Sequence, residues 1–570
     1  MAEEVWMLQT KKADFKQIGA RFRIDPVTAR IIRNRGIEGE AAIDRYLNGT
    51  LDDLYDPMLL KDMERAVSIL CEAVDTGKKI RIVGDYDIDG VCSTYILLQA
   101  FERLGSDVDF EIPDRIKDGY GINESIIEQA HADGVEVILT CDNGISAFHQ
   151  VELAKKYGMT VVITDHHEVP LDGEKEKIPP ADAVIDPKQA DCPYPFPEIC
   201  GAVVAYKLVQ VLYARRGVPQ MEWLDLLEFA AIATVGDVMK LQDENRILVK
   251  YGLKKMAQTK NLGLRRLAEK NNLDLGAITA YHIGFVIGPC LNAGGRLKTA
   301  KEALALLRAQ SEEEAERLAE ELKELNDTRK DMTEQGTEAA KLQVESWYQK
   351  DKVLVVFLPE CHESLAGIIA GRLREYYQKP AIVLTRGEEA VKGSGRSIDG
   401  YHMFKKLTEV SDLLLKFGGH PLAAGLSLEE KNIDEFRRRL NENAGLTEED
   451  FKAKVWIDVP MPVGYVTERL VRELSCLEPF GQGNEKPLFA EKSLRIRASR
   501  VLGRNRNVVK MTLEETDGHA IEALYFGDGT AFEEERAGRR EIDVVYYPDI
   551  NEYNGRKTLQ AVIRRYKFRG

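Results

Sequence analysis

Up to about residue 305, short apolar runs alternate with longer stretches of helical spacing. Lys78 to Val83, Val135 to Leu139 and Thr160 to Ile163 read as buried strands, and Val91 to Leu104 reads as a helix. Strands spaced this way are what βαβ units produce. Residues 61–305 are therefore expected to form an α/β domain with a doubly wound parallel sheet, its later part helical. Ser311 to Trp347 contains no proline and sets Ala315, Leu318, Leu322 and Leu325 at helical spacing among charges. That predicts a long connecting helix within 306–349. Strand-like Val353 to Leu358 and Ala381 to Thr385 flank helical Leu365 to Tyr377, giving a second, smaller α/β domain over 350–445.

Beyond residue 455 the pattern shifts to strands. Ser493 to Leu502, Asn507 to Glu514, Ala520 to Phe526, Ile542 to Tyr547 and Lys557 to Arg564 suit a small β-barrel such as an OB-fold over 455–570. Residues 1–60 show short helical patterns and no legible chemistry.

A chain of 570 residues is long enough for several domains, at roughly 100–200 residues each. Its eight cysteines stand singly, several inside apolar runs (Cys71, Cys92, Cys141). This usage points to reduced thiols, most of them core filler, in a cytoplasmic protein. Met1-Ala2-Glu3-Glu4 is acidic with no apolar stretch behind it, and no apolar run approaches the ~20 residues of a membrane helix. Neither a secretory signal nor a membrane span is expected.

A net charge of −15 looks wrong for handling nucleic acid, but it is unevenly placed. Residues 451–570 carry 21 Lys+Arg against 18 Asp+Glu, and Lys492 to Lys510 holds seven basic residues and no acidic one. Arg564-Arg565-Tyr566-Lys567-Phe568-Arg569 interleaves bases with aromatic rings. A solvated basic face would explain either run alone. On a barrel, cations that track phosphates and rings that stack on bases make a single-strand groove.

The chemistry concentrates in the first domain. Gly84-Asp85-Tyr86-Asp87-Ile88-Asp89-Gly90 sits between a strand and a helix and carries acids at alternate positions. A solvated acidic turn is one reading; a cluster that cations neutralise is the other. Three more segments favour the second: Thr140-Cys141-Asp142-Asn143-Gly144, Thr164-Asp165-His166-His167-Glu168 and Val235-Gly236-Asp237-Val238. In a parallel sheet ligands gather beyond the carboxyl ends of the strands, so Asp87, Asp89, Asp142 and His166 are expected to converge. Asp237 follows a segment that is more helical than strand-like. Carboxylates with one or two imidazoles suit Mn²⁺ or Mg²⁺ better than Zn²⁺, and no Cys-x-x-Cys pair is present. Two such ions can activate water against a phosphoester.

Asp-x-Asp-x-Asp-Gly, Asp-Asn-Gly, Asp-His-His and Gly-Asp together resemble the DHH phosphoesterase superfamily. Later motifs narrow the resemblance to its RecJ-type, single-strand-specific exonucleases. Gly288-Pro289-Cys290-Leu291-Asn292-Ala293-Gly294-Gly295-Arg296-Leu297 is similar to that family's Pro-x-Leu-Asn-Ala-x-Gly-Arg-Leu segment. Gly393-Ser394-Gly395-Arg396-Ser397 and Gly418-Gly419-His420-Pro421-Leu422-Ala423-Ala424-Gly425 resemble the signatures of its DHHA1 domain. Leu477-Glu478-Pro479-Phe480-Gly481-Gln482-Gly483-Asn484 resembles the segment leading into its OB-fold.

The resemblance implies roles. Asp87, Asp89, Asp142, His166 and Asp237 would hold two divalent ions, Mn²⁺ or Mg²⁺, with Asp142 as a bridge. His167 and Arg296 would act at the scissile phosphate. Arg115, Ser394 and Arg396 would bind a 5′ phosphate, His420 would face the substrate channel, and Asp85 and Asp165 would orient the ligands. The implied activity is 5′→3′ hydrolysis of single-stranded DNA to mononucleotides by a monomer, in repair and recombination, beside a helicase and a single-strand-binding protein. An oligoribonucleotide or cyclic-dinucleotide phosphodiesterase is the alternative within the superfamily; a strand-binding scaffold is the alternative outside catalysis.

Two places depart from the family pattern. Glu360-Cys361-His362-Glu363-Ser364-Leu365-Ala366-Gly367 stands where relatives carry Trp-His-x-Gly-Val-x-Gly, and Lys240 replaces a proline. Both bear on substrate fit and leave the acidic cluster intact.

Overall fold

A computed structural model describes residues 4–115, 117–553 and 555–569. The chain forms two compact units. The first is built chiefly from Tyr55–Met239 and Tyr251–Ala453, the second from Trp6–Leu54, Lys240–Lys250 and Lys454–Gly570.

The first unit opens on strand β1 (Ile80–Val83), helix α1 (Ile88–Arg103), and strands β2 (Val108–Glu111), β3 (Val137–Cys141), β4 (Thr160–Thr164) and β5 (Ala183–Ile185). The sheet order is β2-β1-β3-β4-β5, and every pairing is parallel. Strands β1 and β3 are buried along their whole length, as continuous apolar runs require when helices cover both faces. On one face Ile126, Ile127 and Val151 pack against Val83, Ile138 and Ile163. Helix α1 packs against α2 (Gly201–Arg216) and α3 (Leu227–Gly236). Because α1 is apolar nearly all round, it is buried among neighbours rather than carrying one wet face.

Helix α4 (Gly288–Leu297) precedes α5 (Glu312–Gln343), the expected long helix, spanning about 48 Å at 1.5 Å per residue. Ser311 caps α5 by accepting from the Glu314 amide, and three glutamates fill its first turn, where the helix dipole favours them. The second α/β layer follows: β6 (Leu354–Phe357), α6 (Ala366–Tyr377), β7 (Ala381–Arg386), β8 (Val391–Arg396), β9 (Leu414–Gly419) and β10 (Ala423–Leu428). These strands lie in the order β9-β10-β8-β7-β6. Val355, Ile382 and Leu384 feed one core, while Leu354, Val356 and Val383 feed another on the opposite face. The period-two alternation of a strand puts them there.

In the second unit β11 (Phe489–Leu502), β12 (Val508–Glu514), β13 (Ala520–Phe526), β14 (Glu541–Tyr553) and β15 (Arg556–Phe568) pair in the order β11-β12-β13-β15-β14, and β14 pairs back onto β11. The ladder thus runs in a ring. Ile31, Ile32 and Tyr46, from helices Pro26–Asn34 and Glu40–Asn48, join the barrel core beside Phe489 and Tyr546. Arg246, buried in this unit, donates to the carbonyls of Tyr46, Cys476 and Leu477 and lies over the Tyr46 ring. Among the described residues no helix is long and apolar enough to cross a membrane.

Candidate active site

In the order β2-β1-β3-β4-β5 the topological switch falls between β1 and β3, where α/β sheets open a crevice at the strands' carboxyl ends. The loops after β1, β3 and β4 carry the acidic motifs to that crevice. Asp87 is the N-cap of α1, accepting from the Asp89 and Gly90 amides at 2.9 and 3.1 Å. Asp89, in the first turn, is fully buried, and its carboxylate accepts from the Gly201 and Ala202 amides at 2.6 and 2.7 Å. Those amides begin α2, whose N-cap Cys200 supplies no side-chain acceptor, so an acid from another helix satisfies them.

Asp142 follows β3 with φ 61°, a left-handed conformation that an Asp tolerates better than a branched residue. His166 Nε2 lies 3.1 Å from Asp142 Oδ1, 3.4 Å from Asp89 Oδ2 and 3.9 Å from Asp237 Oδ2. Asp237 ends α3, and the next residue, Val238, holds φ 57°. For a β-branched residue that is a strained backbone, a feature that gathers at functional sites.

Potential ligand atoms of Asp89, His166 and Asp237 lie within 4.8 Å of one another. The same holds for Asp85, Asp87 and Asp142, and for Asp142, His166 and His167. Burial, and then repulsion from neighbouring acids, pushes Asp142 far above the carboxylate range and raises Asp85 and Asp237 to about 8. Burial raises Asp89 too, against the pull of His166. Acids packed this way cannot all ionise without a cation among them. His166 Nδ1 is buried with no hydrogen-bond partner. Oxygen donors in excess, plus imidazole, fit hard divalent ions.

His167 Nδ1 stands 3.9 Å from Asp142 Oδ1 but is held chiefly by Asp165. Its Nδ1 lies 2.8 Å from Asp165 Oδ1, and the Tyr120 hydroxyl is within 3.1 Å. Burial lowers its pKa, but the hydrogen bond to Asp165 and the charges of Asp165, Asp237 and Asp89 together outweigh that and hold the imidazole at about 9. Asp165, buried, also accepts from the Ile145 and His166 amides. Tyr120 donates to the Asp142 carbonyl at 2.7 Å. Nothing in its sequence context singles Tyr120 out. Asp85 accepts from the Gly121 amide.

Beside this cluster lies a cavity of about 550 Å³ lined by Tyr86, Arg115, Arg296, Gly367, Ser394 and Arg396. Ser394 and Arg396 alternate on β8, so both face it. Arg396 Nη1 donates to Ser394 Oγ at 3.2 Å, and a Cβ on Gly367 would stand 2.8 Å from Arg396 Nη2. Arg115 lies 4.8 Å from the centre of the Tyr86 ring, and Arg296 donates to the Ser364 carbonyl. Burial, then repulsion by Arg115 and Arg329, lowers Arg296 to about 10. Guanidiniums crowded in this way suit an anion. His420 stands apart, exposed on the turn between β9 and β10 and outside the cavity lining. Of the departing segment Glu360–Gly367, Glu363, Ser364 and Gly367 line the cavity, whereas Leu365 is buried in the core on one face of the second sheet and Cys361 packs against that core.

In the barrel unit, Arg497 and Lys510 of the basic run pair across strands with Glu514 and Glu522, while Lys492, Arg495, Arg500, Arg504 and Arg506 are exposed. A separate cleft of about 720 Å³ is lined by Lys454, Trp456, Lys486, Tyr547, Arg564 and Arg565. Lys486 and Arg564 lie over the Tyr547 ring at 3.7 and 5.1 Å.

Residues 79–234 match the DHH family, N-terminal domain, residues 350–445 the DHHA1 domain, and residues 457–565 the RecJ OB domain. The single-stranded-DNA-specific exonuclease RecJ of Bacillus subtilis is 36% identical over 98% of this chain and 70% of its own length. Its Escherichia coli counterpart is 34% identical over 95% of each. Among solved structures, RecJ from Thermus thermophilus in complex with Mn²⁺ superposes with a TM-score of 0.84 at 28% identity, covering 99% of this chain and 80% of the other. The Mg²⁺ complex gives 0.78 at 27% identity, covering 99% and 78%.

Proposed function

The chain belongs to the RecJ family, and from that premise we propose that it hydrolyses single-stranded DNA from the 5′ end, releasing mononucleotides with the help of two divalent ions, Mn²⁺ or Mg²⁺. The observation that carries the reading is the convergence of Asp87, Asp89, Asp142, Asp237 and His166 on one buried crevice. Bound there, two divalent ions supply an activated water and neutralise charge on the phosphate.

Asp87, Asp89, Asp142, His166 and Asp237 are the proposed ligands; membership of two of the three clusters supports Asp142 as the bridge. Asp85 and Asp165 position them, Asp165 by fixing the His167 ring and the amides around it. A His167 imidazole that keeps its proton at neutral pH can donate to a phosphate oxygen. Arg296 faces the same phosphate. Arg115, Ser394 and Arg396 bind the 5′ phosphate in the adjoining cavity, and polarity follows from that end being held. His420 enters only with substrate present.

The proposed division assigns residues 61–305 to catalysis, 306–349 to a connecting helix, 350–445 to end recognition and 455–570 to strand binding, with 1–60 as a leader. The protein works in the cytoplasm as a monomer, beside a helicase and a single-strand-binding protein. End-labelled, 5′-phosphorylated single strands incubated with Mn²⁺, Mg²⁺ or EDTA test the reading. Labelled mononucleotide released at once from the 5′ end, and only with metal, is expected. Intact strands with cleaved short RNA or cyclic dinucleotides would overturn it, as would strand binding without cleavage.

A further inference from the structure

The first unit holds another cavity, of about 410 Å³, at the far end of two helices that carry the acids. Helix α1 starts at Asp87 and Asp89 and lines this cavity with Tyr95, Gln99 and Arg103. Helix α3, packed against α1, lines it with Glu228 and Phe229 and ends at Asp237. Gln99 stands about 15 Å along α1 from Asp89, so the cavity is separate from the acidic crevice. Its volume is within the roughly 300–1,000 Å³ of small-molecule sites.

The floor and the mouth differ in chemistry. Glu228 is 3% exposed; its Oε1 accepts from the Thr259 hydroxyl at 2.7 Å, while Oε2 is buried with no hydrogen-bond partner among the described residues. A buried acceptor left bare costs free energy that an N–H from a ligand recovers. Tyr95, Tyr213 and Phe229 supply aromatic wall, and the Tyr95 hydroxyl accepts from Asn261 Nδ2 at 3.1 Å and keeps its own proton to give. At the mouth Arg103 pairs with Glu222 and Arg308 with Glu102, so those charges cancel. Asp225 instead faces two ammoniums, Lys255 and, at 3.3 Å, Lys260. One carboxylate between two cations leaves a net positive charge, and the Lys260 side chain is 82% exposed. Thr259 and Lys260 are neighbours in the chain, so one short loop serves both floor and mouth.

We propose that this cavity binds a purine nucleoside monophosphate, its base among the rings with an amino N–H on Glu228 Oε2 and its phosphate at Lys255 and Lys260. A linear polyamine would also satisfy Glu228, but the surplus cation at the mouth repels it. A mononucleotide is what the proposed reaction releases, so the site fills as cleavage proceeds. That use rests on the proposed function; the binding itself does not.

The test is calorimetric titration of the full chain in EDTA with dAMP, deoxyadenosine and spermidine. Native protein is expected to bind dAMP, and Arg396→Ala, which strips a phosphate contact from the 550 Å³ cavity, should keep that binding. Glu228→Gln preserves shape but turns an acceptor into a donor, and should weaken dAMP about tenfold or more. Lys260→Glu, on a side chain in solvent that the core does not need, should weaken dAMP several-fold and leave deoxyadenosine unchanged. Thermal melts of each variant confirm that it is folded. Binding of dAMP that Arg396→Ala abolishes and Glu228→Gln leaves intact overturns the proposal, because the nucleotide is then held only in the other cavity. Spermidine bound in place of dAMP, or no binding up to millimolar dAMP, also overturns it. Failure of the native chain to cut any strand with Mn²⁺ would count against the proposed function and leave the binding result standing.

Discussion

Gly201 packs its bare Cα against Asp142: a Cβ there would stand 2.7 Å from Asp142 Cβ and 3.1 Å from Asp89 Oδ2. The first turn of α2 can approach the crevice, and give its amides to Asp89, only because residue 201 lacks a side chain. Gly201→Ala is expected to push α2 or the Asp142 loop by several tenths of an ångström. Displacements of that order near reacting groups cost up to about 100-fold in rate, so kcat should fall at least tenfold. Overpacking should cost roughly 1–3 kcal/mol of stability. Steady-state kinetics beside thermal melts checks both; unchanged kcat would show the contact to be slack.

Asp142→Asn removes a charge from the most crowded carboxylate and keeps its shape. Cleavage should drop by about 10³-fold or more, while strand affinity, read by anisotropy in EDTA, stays close to native. A protein that only binds strands would show no change in either assay.

Arg396→Ala should weaken recognition of the 5′ phosphate rather than the chemistry. Losing a charge-assisted contact costs about 1.5–3 kcal/mol, so kcat/KM on 5′-phosphorylated strands should fall roughly 10- to 150-fold. Strands ending in a 5′ hydroxyl should be affected far less. Comparing the two ends in native and variant protein measures this directly.

Glu228 of α3 makes a separate prediction. Its Oε1 accepts from the Thr259 hydroxyl at 2.7 Å, Oε2 has no hydrogen-bond partner, and burial raises the pKa from 4.5 to about 7. The folded chain therefore holds a proton that the unfolded chain has already released. Stability from this group is complete below pH 4.5 and is lost as pH rises toward 7. Glu228→Gln should remove that loss, about 3 kcal/mol by pH 8. The Tm advantage of the variant should be absent near pH 4 and grow through neutrality.

Arg246 holds the second unit by three carbonyls from two distant chain segments. Arg246→Ala removes the guanidinium from the Tyr46 and Cys476 carbonyls, at about 1–3 kcal/mol each before any cavity cost, while the Leu477 carbonyl keeps Asn484 Nδ2 and the Tyr46 hydroxyl as donors. The barrel should lose cooperative melting, seen as early exchange of the Cys476 and Leu477 region. A variant melting like native would show that the acceptors find other donors.

Where chemistry sits on strand ends, the sequence was readable. Asp87, Asp89, Asp142 and His166 follow apolar runs that had to be buried strands, and parallel strands send their carboxyl ends one way. The half-exposed strand β2 and the three-residue β5 were not legible, because neither is long or apolar enough to announce itself. Nor were Tyr120 and the Gly201–Ala202 amides, since their roles arise from approach across the fold and leave no local pattern. Arg246 reads as an ordinary surface charge of a helix until the Tyr46 and Leu477 carbonyls close on it. His420 shows the converse: a distinctive glycine-proline setting, yet an exposed turn outside the cavity lining.

The second unit draws on the start, the middle and the end of the chain, and this bears on how the protein can be made and cut. Its first piece ends at Leu54 and its last begins at Lys454. At about 5–20 residues per second of synthesis the Pro26–Asn34 and Glu40–Asn48 helices wait roughly 25–100 s for the barrel whose core they complete. During that time Ile31, Ile32 and Tyr46 have only neighbours from their own segment, such as Ile18, Phe22 and Ile43, and lack the barrel residues that complete the cluster, so the nascent chain presents an apolar surface suited to holdase chaperones. A stop codon near residue 453 would make that interval permanent. It would yield a chain with an orphaned leader, not a clean catalytic fragment, and any minimal version must shed Trp6–Leu54 along with the barrel.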